Sequence, residues 1–265
     1  MKRFQQSIYL SILIIFANIA NAAPVKEQTL NQLLMLSGIE AQMQDLSEGI
    51  KAGVLASSGG SGKFSGGYEK LFNQLVEPDA IYAGVIAEVS QVLTEAEGEF
   101  LIAWYESNLG NRLARAEEFA SSPEGMAEMQ VMSEKIVADV SRMEMASRLA
   151  EASGVIDKGM KTQNSIMLAI QVAASKLLSP NEPIVIETLR QALNEQQPRI
   201  ALYVEQSILT GLAYTFRDFN EDELSAYIEM LKQPAMQKYN NSGLKGTENA
   251  LEYATKMMAS SFSDK

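Results

Sequence analysis

Four stretches of the chain place chemically capable side chains at spacings that known sites use. The first, SSGGSGK at 57–63, partly matches a phosphate-binding loop, in which backbone amides wrap a phosphate ahead of a Gly-Lys pair. Such a loop needs glycine five positions before Gly62, Ser or Thr after Lys63, and a preceding strand. Ser57 and Phe64 occupy those two places, and helical patterns flank the run. The stretch is therefore predicted to be a flexible connector.

The second stretch, DFNED at 218–222, spaces oxygen atoms as a calcium-binding loop does, with Glu229 at the twelfth place. Calcium loops turn sharply at a glycine in the sixth position, and Glu223 stands there instead. We expect the start of a helix here rather than a calcium site.

The third stretch is a row of methionines, whose thioethers could hold Cu(I) in a chain without cysteine. The row runs at helical spacing through Met126, Met129 and Met132 and is continued by Met143 and Met145. Ile136 and Val140 extend the same apolar stripe, and methionine is an ordinary filler of irregular cores. The pattern favours a core or an adaptable groove, and Cu(I) binding is kept as an alternative.

The fourth stretch, Ser242-Gly243-Leu244-Lys245, has the spacing in which lysine can activate serine, but the partner motifs of that class are missing. A Gly-rich loop between helices is expected there. The chain has no His and no Cys, which excludes a thiol nucleophile, a disulfide and a Ser-His-Asp triad. We therefore expect no enzyme, no cofactor and no metal site; the alternative is a hydrolase that uses carboxylates or a Ser-Lys pair.

The N-terminal sequence has the three parts of a secretory signal peptide. Lys2 and Arg3 precede an apolar run at 8–19, and Ala20-Asn21-Ala22 follows it. The run is too short to span a bilayer, so cleavage after Ala22 and a periplasmic or secreted location are predicted, without stable membrane insertion. The mature chain would carry 20 Lys and Arg against 33 Asp and Glu, a net charge of −13 that repels nucleic acid.

The elements that must position these residues are helices. From Thr29 onward apolar residues recur at intervals of three and four, and 46% of the residues are hydrophobic. An all-α, multi-helix bundle is predicted, with helices at about 29–36, 39–55, 68–76, 79–92, 95–107, 109–120, 123–152, 155–178, 183–193, 197–217, 221–233, 235–241 and 247–261.

Two features of this pattern occur twice. Gly38 and Gly154 each follow a serine between apolar helical stretches, where glycine can take the left-handed conformation that ends a helix. The second feature is a helix start with a capping residue three positions before a glutamate, first as Thr94 and Glu97 and again as Asn220 and Glu223.

A break follows each capped helix after the same number of residues. The first break is at Ser107-Asn108 and the second at Gln233-Pro234, where Pro234 should open a short helix. These pairs indicate a divergent tandem duplication, with one helical repeat at 23–122 and another at 123–265. Trp104 and Tyr105 are interpreted as core aromatics.

The segments LTEAEGEFLIAWYESNLGNRLARA and FNEDELSAYIEMLKQPAMQKY carry a resemblance. They resemble the Thr-Glu-Glu, aromatic pair and Ser-Pro-x-Gly signature of the bacterial domain of unknown function numbered 2059. The first segment departs from it at Asn108 and the second at Met236. The resemblance implies an exported helical domain and supplies no activity. Together, the sequence favours a binding or assembly module for a protein, peptide or lipid-like partner.

Overall fold

A computed structural model describes residues 23–58, 66–179 and 181–260. The predicted signal peptide at 1–22 and most of the glycine run, at 59–65, lie outside the described residues. The described chain is all-α, as predicted, with a single antiparallel bridge between Pro24 and Thr94. Its helices are α1 (Glu27–Leu36), α2 (Ile39–Ser57), α3 (Gly66–Val76), α4 (Pro78–Val92), α5 (Glu95–Glu106), α6 (Asn108–Ser121), α7 (Pro123–Ala138), α8 (Val140–Ser153), α9 (Val155–Leu178), α10 (Ile186–Thr215), α11 (Glu221–Leu231) and α12 (Pro234–Ser260).

Three predicted boundaries were wrong. The stretch 123–152 is two helices, because the Asp139 side chain accepts a hydrogen bond from the Arg142 amide and caps a new helix. Conversely, 183–193 and 197–217 are one helix, α10, with Pro198 inside it. Pro198 is exposed, so the carbonyl that it leaves unpaired can reach water.

The third wrong boundary is the Gly-rich loop expected near Ser242, which is the middle of the long helix α12. Glycine serves here for close approach rather than for a turn. A Cβ atom on Gly246 would lie 2.5 Å from the carbonyl oxygen of Gly84, and one on Gly84 would lie 2.7 Å from that of Gly246. The backbones of α4 and α12 therefore touch, and α12 packs more extensively on α4 than on any other helix of the described chain.

The two Ser-Gly turns are both present. Gly38 has a φ of 71° and Gly154 a φ of 64°, which only glycine adopts without strain. In each turn the glycine amide returns to a carbonyl of the helix just ended, that of Met35 in the first and of Glu151 in the second. The chain thus reverses sharply between α1 and α2 and between α8 and α9.

Both predicted capping boxes are also present. The Glu97 amide donates to the Thr94 hydroxyl at 3.3 Å, and the Glu97 carboxylate accepts from the Thr94 amide at 3.0 Å. Asn220 and Glu223 exchange the same two bonds at 3.0 and 2.9 Å. Each box satisfies amides at a helix start that no helical carbonyl can reach.

The first break is a tight serine link. The Ser107 hydroxyl donates to the Trp104 carbonyl at 2.6 Å and accepts from the Gly110 amide at 3.0 Å. A Cβ on Gly110 would lie 2.0 Å from that carbonyl oxygen, so only glycine fits. The second break differs, since Pro234 opens the long helix α12 instead of the short one predicted.

Several helix pairings recur in the two halves of the chain. Helix α1 packs on α5 as α8 packs on α11, and α2 packs on α4 as α9 packs on α10. The last helix of each half contacts a helix of the other half: α6 contacts α10, and α12 contacts α4. The largest hydrophobic cluster draws buried side chains from both halves, among them Leu34, Leu101, Leu149 and Leu224.

Candidate functional site

A cavity of about 340 Å³ lies where the two halves meet. Both glycine turns border it, the first through Ser37 and Ile39 and the second through Ser153 and Val155. The remaining walls come from α2, α5, α6, α8, α9, α11, α12 and the end of α10. The lining residues there are Gln42, Met43, Tyr105, Glu117, Leu149, Lys158, Leu212, Phe216, Tyr227, Leu231, Tyr239, Asn240, Gly243, Leu244 and Thr247.

Glu117 on α6 is the acidic residue of this lining. The Tyr227 hydroxyl donates to its Oε1 atom at 2.6 Å, and among the described residues no donor reaches Oε2. Burial raises the pKa of Glu117 to about 7, although the bond from Tyr227 acts in the opposite direction. A carboxyl group with this pKa changes its charge near neutral pH.

Aromatic side chains form much of the wall. Tyr105, Tyr227 and Tyr239 come from α5, α11 and α12, and Phe216 follows α10. Burial raises the pKa of all three tyrosines, so they remain neutral phenols at physiological pH. The Tyr239 hydroxyl lies 2.5 Å from the hydroxyl of Ser37, which ties α12 to the first glycine turn.

Two neighbouring aromatic rings hold Tyr227 in place. The Trp104 ring stacks on the Tyr227 ring with centroids 6.3 Å apart and an angle of 10° between planes. Phe216 meets the Tyr227 ring edge to face at 5.5 Å. Trp104 is thus a partly buried packing residue behind the wall, and Tyr105 belongs to the largest hydrophobic cluster and also lines the cavity.

Lys158 is the only cationic residue of the lining. Its ammonium group donates to the Ser153 carbonyl at 2.5 Å, across the second glycine turn. Burial lowers the pKa of Lys158. The bond caps the C-terminus of α8, because it supplies a cation to a carbonyl at the helix end.

The arrangement offers binding groups rather than a reactive set. The Ser37 hydroxyl is engaged by Tyr239 and by the Leu34 carbonyl, at 2.5 and 3.1 Å. Glu117 could accept a hydrogen bond or a positive charge, and the apolar surfaces of the rings could enclose the rest of a small molecule.

The methionine row does not border this cavity at Met126, Met129 or Met132. Met126 is 48% exposed. Met129 and Met132 are half-buried against a cluster formed by Ile136, Ala146, Ala213 and Tyr214. The row lies at the edge of this small hydrophobic cluster, so packing alone explains Met129 and Met132.

The residues of the predicted alternatives lie apart from the cavity or have other partners. Lys245 pairs with Glu88 at 2.7 Å, and the Ser242 hydroxyl donates to backbone carbonyls within α12. Asn220 is engaged in its capping box, and Glu229 pairs with Lys232 at 2.7 Å.

The structural residues named from the sequence serve the helix framework. Gly38 and Gly154 form the turns, and the Thr94, Glu97, Asn220 and Glu223 side chains form the caps; Pro234 occupies the first turn of α12. Only the two turns reach the cavity, through their neighbours in sequence.

Sequence reasoning missed Glu117, Lys158 and Tyr239. Glu117 stands beside Glu118 in a segment that reads as an exposed charged helix face. The helical spacing separates the two glutamates, because Glu117 lies four residues after Leu113 and three after Ala114, on the buried face of α6. Its place in the cavity depends on helices of the other half, which this spacing does not reveal.

Within the described ranges, no cluster of three or more His, Cys, Asp or Glu side chains is arranged to hold a metal ion. Of the helices in those ranges, none combines the length and the apolar character needed to cross a bilayer. Comparison with protein-family models, curated proteins and solved structures gives no match.

Proposed function

We propose that this protein is a binding module whose central cavity encloses a small apolar or amphiphilic molecule. The observation that carries this proposal is the cavity of about 340 Å³, with aromatic and aliphatic walls and a few converging polar groups. Its volume falls in the lower part of the range of about 300–1,000 Å³ that small-molecule sites occupy. Among the partners expected from the sequence, this geometry favours a lipid-like molecule or the side chain of a peptide.

We further propose that the molecule acts by binding and not by catalysis. Glu117 is the acid or base that the cavity offers near neutral pH. The hydroxyls of the two lining serines are engaged elsewhere, that of Ser37 by Tyr239 and a carbonyl and that of Ser153 by carbonyls of its own helix. A hydrolase needs a nucleophile within reach of its base. The Ser242 and Lys245 side chains are directed to other partners.

The proposed location is outside the cytoplasm, after cleavage following Ala22. The residues next to that position are docked on the fold. The Ala23 carbonyl accepts from the Glu95 amide at 2.9 Å, the Val25 amide donates to the Leu93 carbonyl at 3.0 Å, and Val25 is buried. These contacts hold residues 23–25 against the start of α5. Membership of the exported domain family numbered 2059 is proposed from the resemblance of segments 93–116 and 219–239.

A tandem duplication is proposed as the origin of the cavity. The recurring turns, caps and helix pairings support it, because the α1–α5 and α2–α4 pairings of the first half have counterparts in the α8–α11 and α9–α10 pairings of the second. The crossover of α6 and α12 would then exchange equivalent helices between the halves and leave the cavity at their junction.

The binding proposal can be tested by filling the cavity. Gly243 lines it, and a Cβ there would meet only Ile39, at an ordinary distance of 3.6 Å. Gly243→Leu should therefore place its side chain in the cavity with little strain. Gly49→Leu is the matched control, since Gly49 is an exposed helical glycine with nothing within 4 Å of a Cβ.

The measurement is fluorescence titration with the neutral apolar dye N-phenyl-1-naphthylamine. The wild type and Gly49→Leu should each bind one equivalent, and Gly243→Leu should bind at least tenfold more weakly while keeping the same circular dichroism spectrum. Absence of binding to the wild type, or equal binding to Gly243→Leu, would overturn the proposal.

A further inference from the structure

We propose that the cavity selects an organic cation, an alkylammonium group on an apolar body, through the carboxylate of Glu117 and the surrounding aromatic rings. This inference rests on the proposed binding function and adds the chemical class of the ligand. It follows from three observations: the incomplete bonding of Glu117, the aromatic composition of the walls and the charge of the chain.

The first observation is the free face of the carboxylate. Tyr227 satisfies Oε1, whereas Oε2 has no donor within the described part of the chain. Glu117 is partly buried, and a carboxylate that loses much of its water is costly to ionise unless an opposite charge or several donors compensate it. An ammonium group in the cavity would provide both the charge and the donor. Because binding would then favour the ionised form of Glu117, occupancy should release a proton at pH values near 7.

The second observation is the set of rings around the same space. Three tyrosines and Phe216 line the cavity with Glu117. Faces of aromatic rings attract cations, most strongly where water is excluded, and several rings together recognise alkylated ammonium groups. A neutral apolar ligand would gain nothing from the carboxylate, and an anionic one would be repelled by it.

The third observation is the net charge of −11 for the whole chain. An acidic protein raises the local concentration of cations around it and lowers that of anions. The negative net charge of the protein favours a cationic ligand of any shape.

Lys158 is the group that would favour the opposite sign. Its ammonium donates to the Ser153 carbonyl at 2.5 Å, so this group is already engaged in the second glycine turn. The other titratable groups of the lining are Tyr105, Tyr227 and Tyr239, which stay neutral near pH 7. Glu117 is therefore the group whose charge can respond to a ligand in this pH range.

The test compares three probes with one chain length, hexylammonium, hexanol and hexanoate, by calorimetric titration of the full mature chain. Hexylammonium should bind at least tenfold more tightly than hexanol at pH 8, and hexanoate should bind most weakly. Glu117→Gln should remove the preference by lowering the affinity for hexylammonium to that for hexanol in the same variant. Glu118→Gln, which changes an exposed neighbour, should behave as the wild type does.

Proton release gives a second readout that a purely structural role of Glu117 would not produce. The enthalpy of hexylammonium binding at pH 7 should vary with the ionisation enthalpy of the buffer in the wild type and should not vary in Glu117→Gln. The preference for hexylammonium over hexanol should fall when the pH is lowered to 5, because protonated Glu117 carries no charge.

The outcomes separate the two proposals. Equal binding of hexylammonium and hexanol, both weakened by Gly243→Leu, would overturn the cation inference and leave the binding function intact. Preference for hexanoate would assign the ligand charge to Lys158 and overturn the inference. Failure of all three probes and of the neutral dye would overturn both.

Discussion

The pKa of Glu117 predicts that this residue limits stability in neutral and alkaline solution. In the folded protein, burial raises the pKa from an ordinary value of 4.5 to about 7. The folded state therefore holds its proton more tightly than the unfolded state does. Between these two pH values the folded state binds more protons, so the free energy of unfolding falls as the pH rises, and the loss is complete above pH 7.

The size of the loss follows from the same two pKa values. A difference of this size corresponds to about 3 kcal/mol between pH 4 and pH 8. Glu117→Gln keeps an oxygen that can accept from Tyr227 but cannot ionise. It should match the wild type within about 1 kcal/mol at pH 4 and exceed it by about 2–3 kcal/mol at pH 8 in the absence of ligand.

Urea unfolding at pH 4, 6 and 8 measures this difference directly. Because the wild type and the variant share every other carboxylate, their difference isolates Glu117. Glu118→Gln should follow the wild type at each pH. A constant difference between the wild type and Glu117→Gln across this range would refute a pKa of Glu117 near 7 in the folded protein.

Three further predictions concern the framework. Thr94→Ala and Asn220→Ala should each lower the free energy of unfolding by about 1 kcal/mol, and the double variant by the sum, because distant caps act independently; urea unfolding of all three variants would expose any coupling. Gly110→Ala should prevent normal folding, since the new methyl would lie 2.0 Å from a carbonyl oxygen. Gly49→Ala should instead raise the free energy of unfolding by about 0.5–1 kcal/mol through helix propensity. Equal melting temperatures of the two variants would contradict this. Met129→Ala should cost about 1–2 kcal/mol, below the range of about 2–5 for a fully buried methionine, because its side chain is only partly buried. A loss at or above the buried range would place it in the core.

Local signals predicted the features that depend on a few neighbouring residues. The glycine turns, the capping boxes and the all-α class are of this kind, since a left-handed glycine or a Thr-x-x-Glu cap works within one helical turn. The signals failed where a distant contact decides the outcome. Gly246 reads as a helix breaker, but it is a contact point with Gly84 in α4, far away in sequence.

The cavity was beyond prediction for the same physical reason. Glu117, Tyr227 and Tyr239 come from helices of both halves, and their burial exists only when those helices pack. The sequence did reveal the two serine-glycine turns that border the cavity. It also directed attention to the methionine row, which the structure places at the edge of a minor core.

A ligand that enters this cavity would lie near Met43, which provides a reporter inside it. Methyl-¹³C methionine labelling, with Met43 assigned through Met43→Leu, allows each methionine to be followed during titration with hexylammonium. We expect a saturable shift of the Met43 methyl resonance, while the resonance of the exposed Met126 stays unchanged. A titration that moves Met126 and leaves Met43 in place would contradict this expectation.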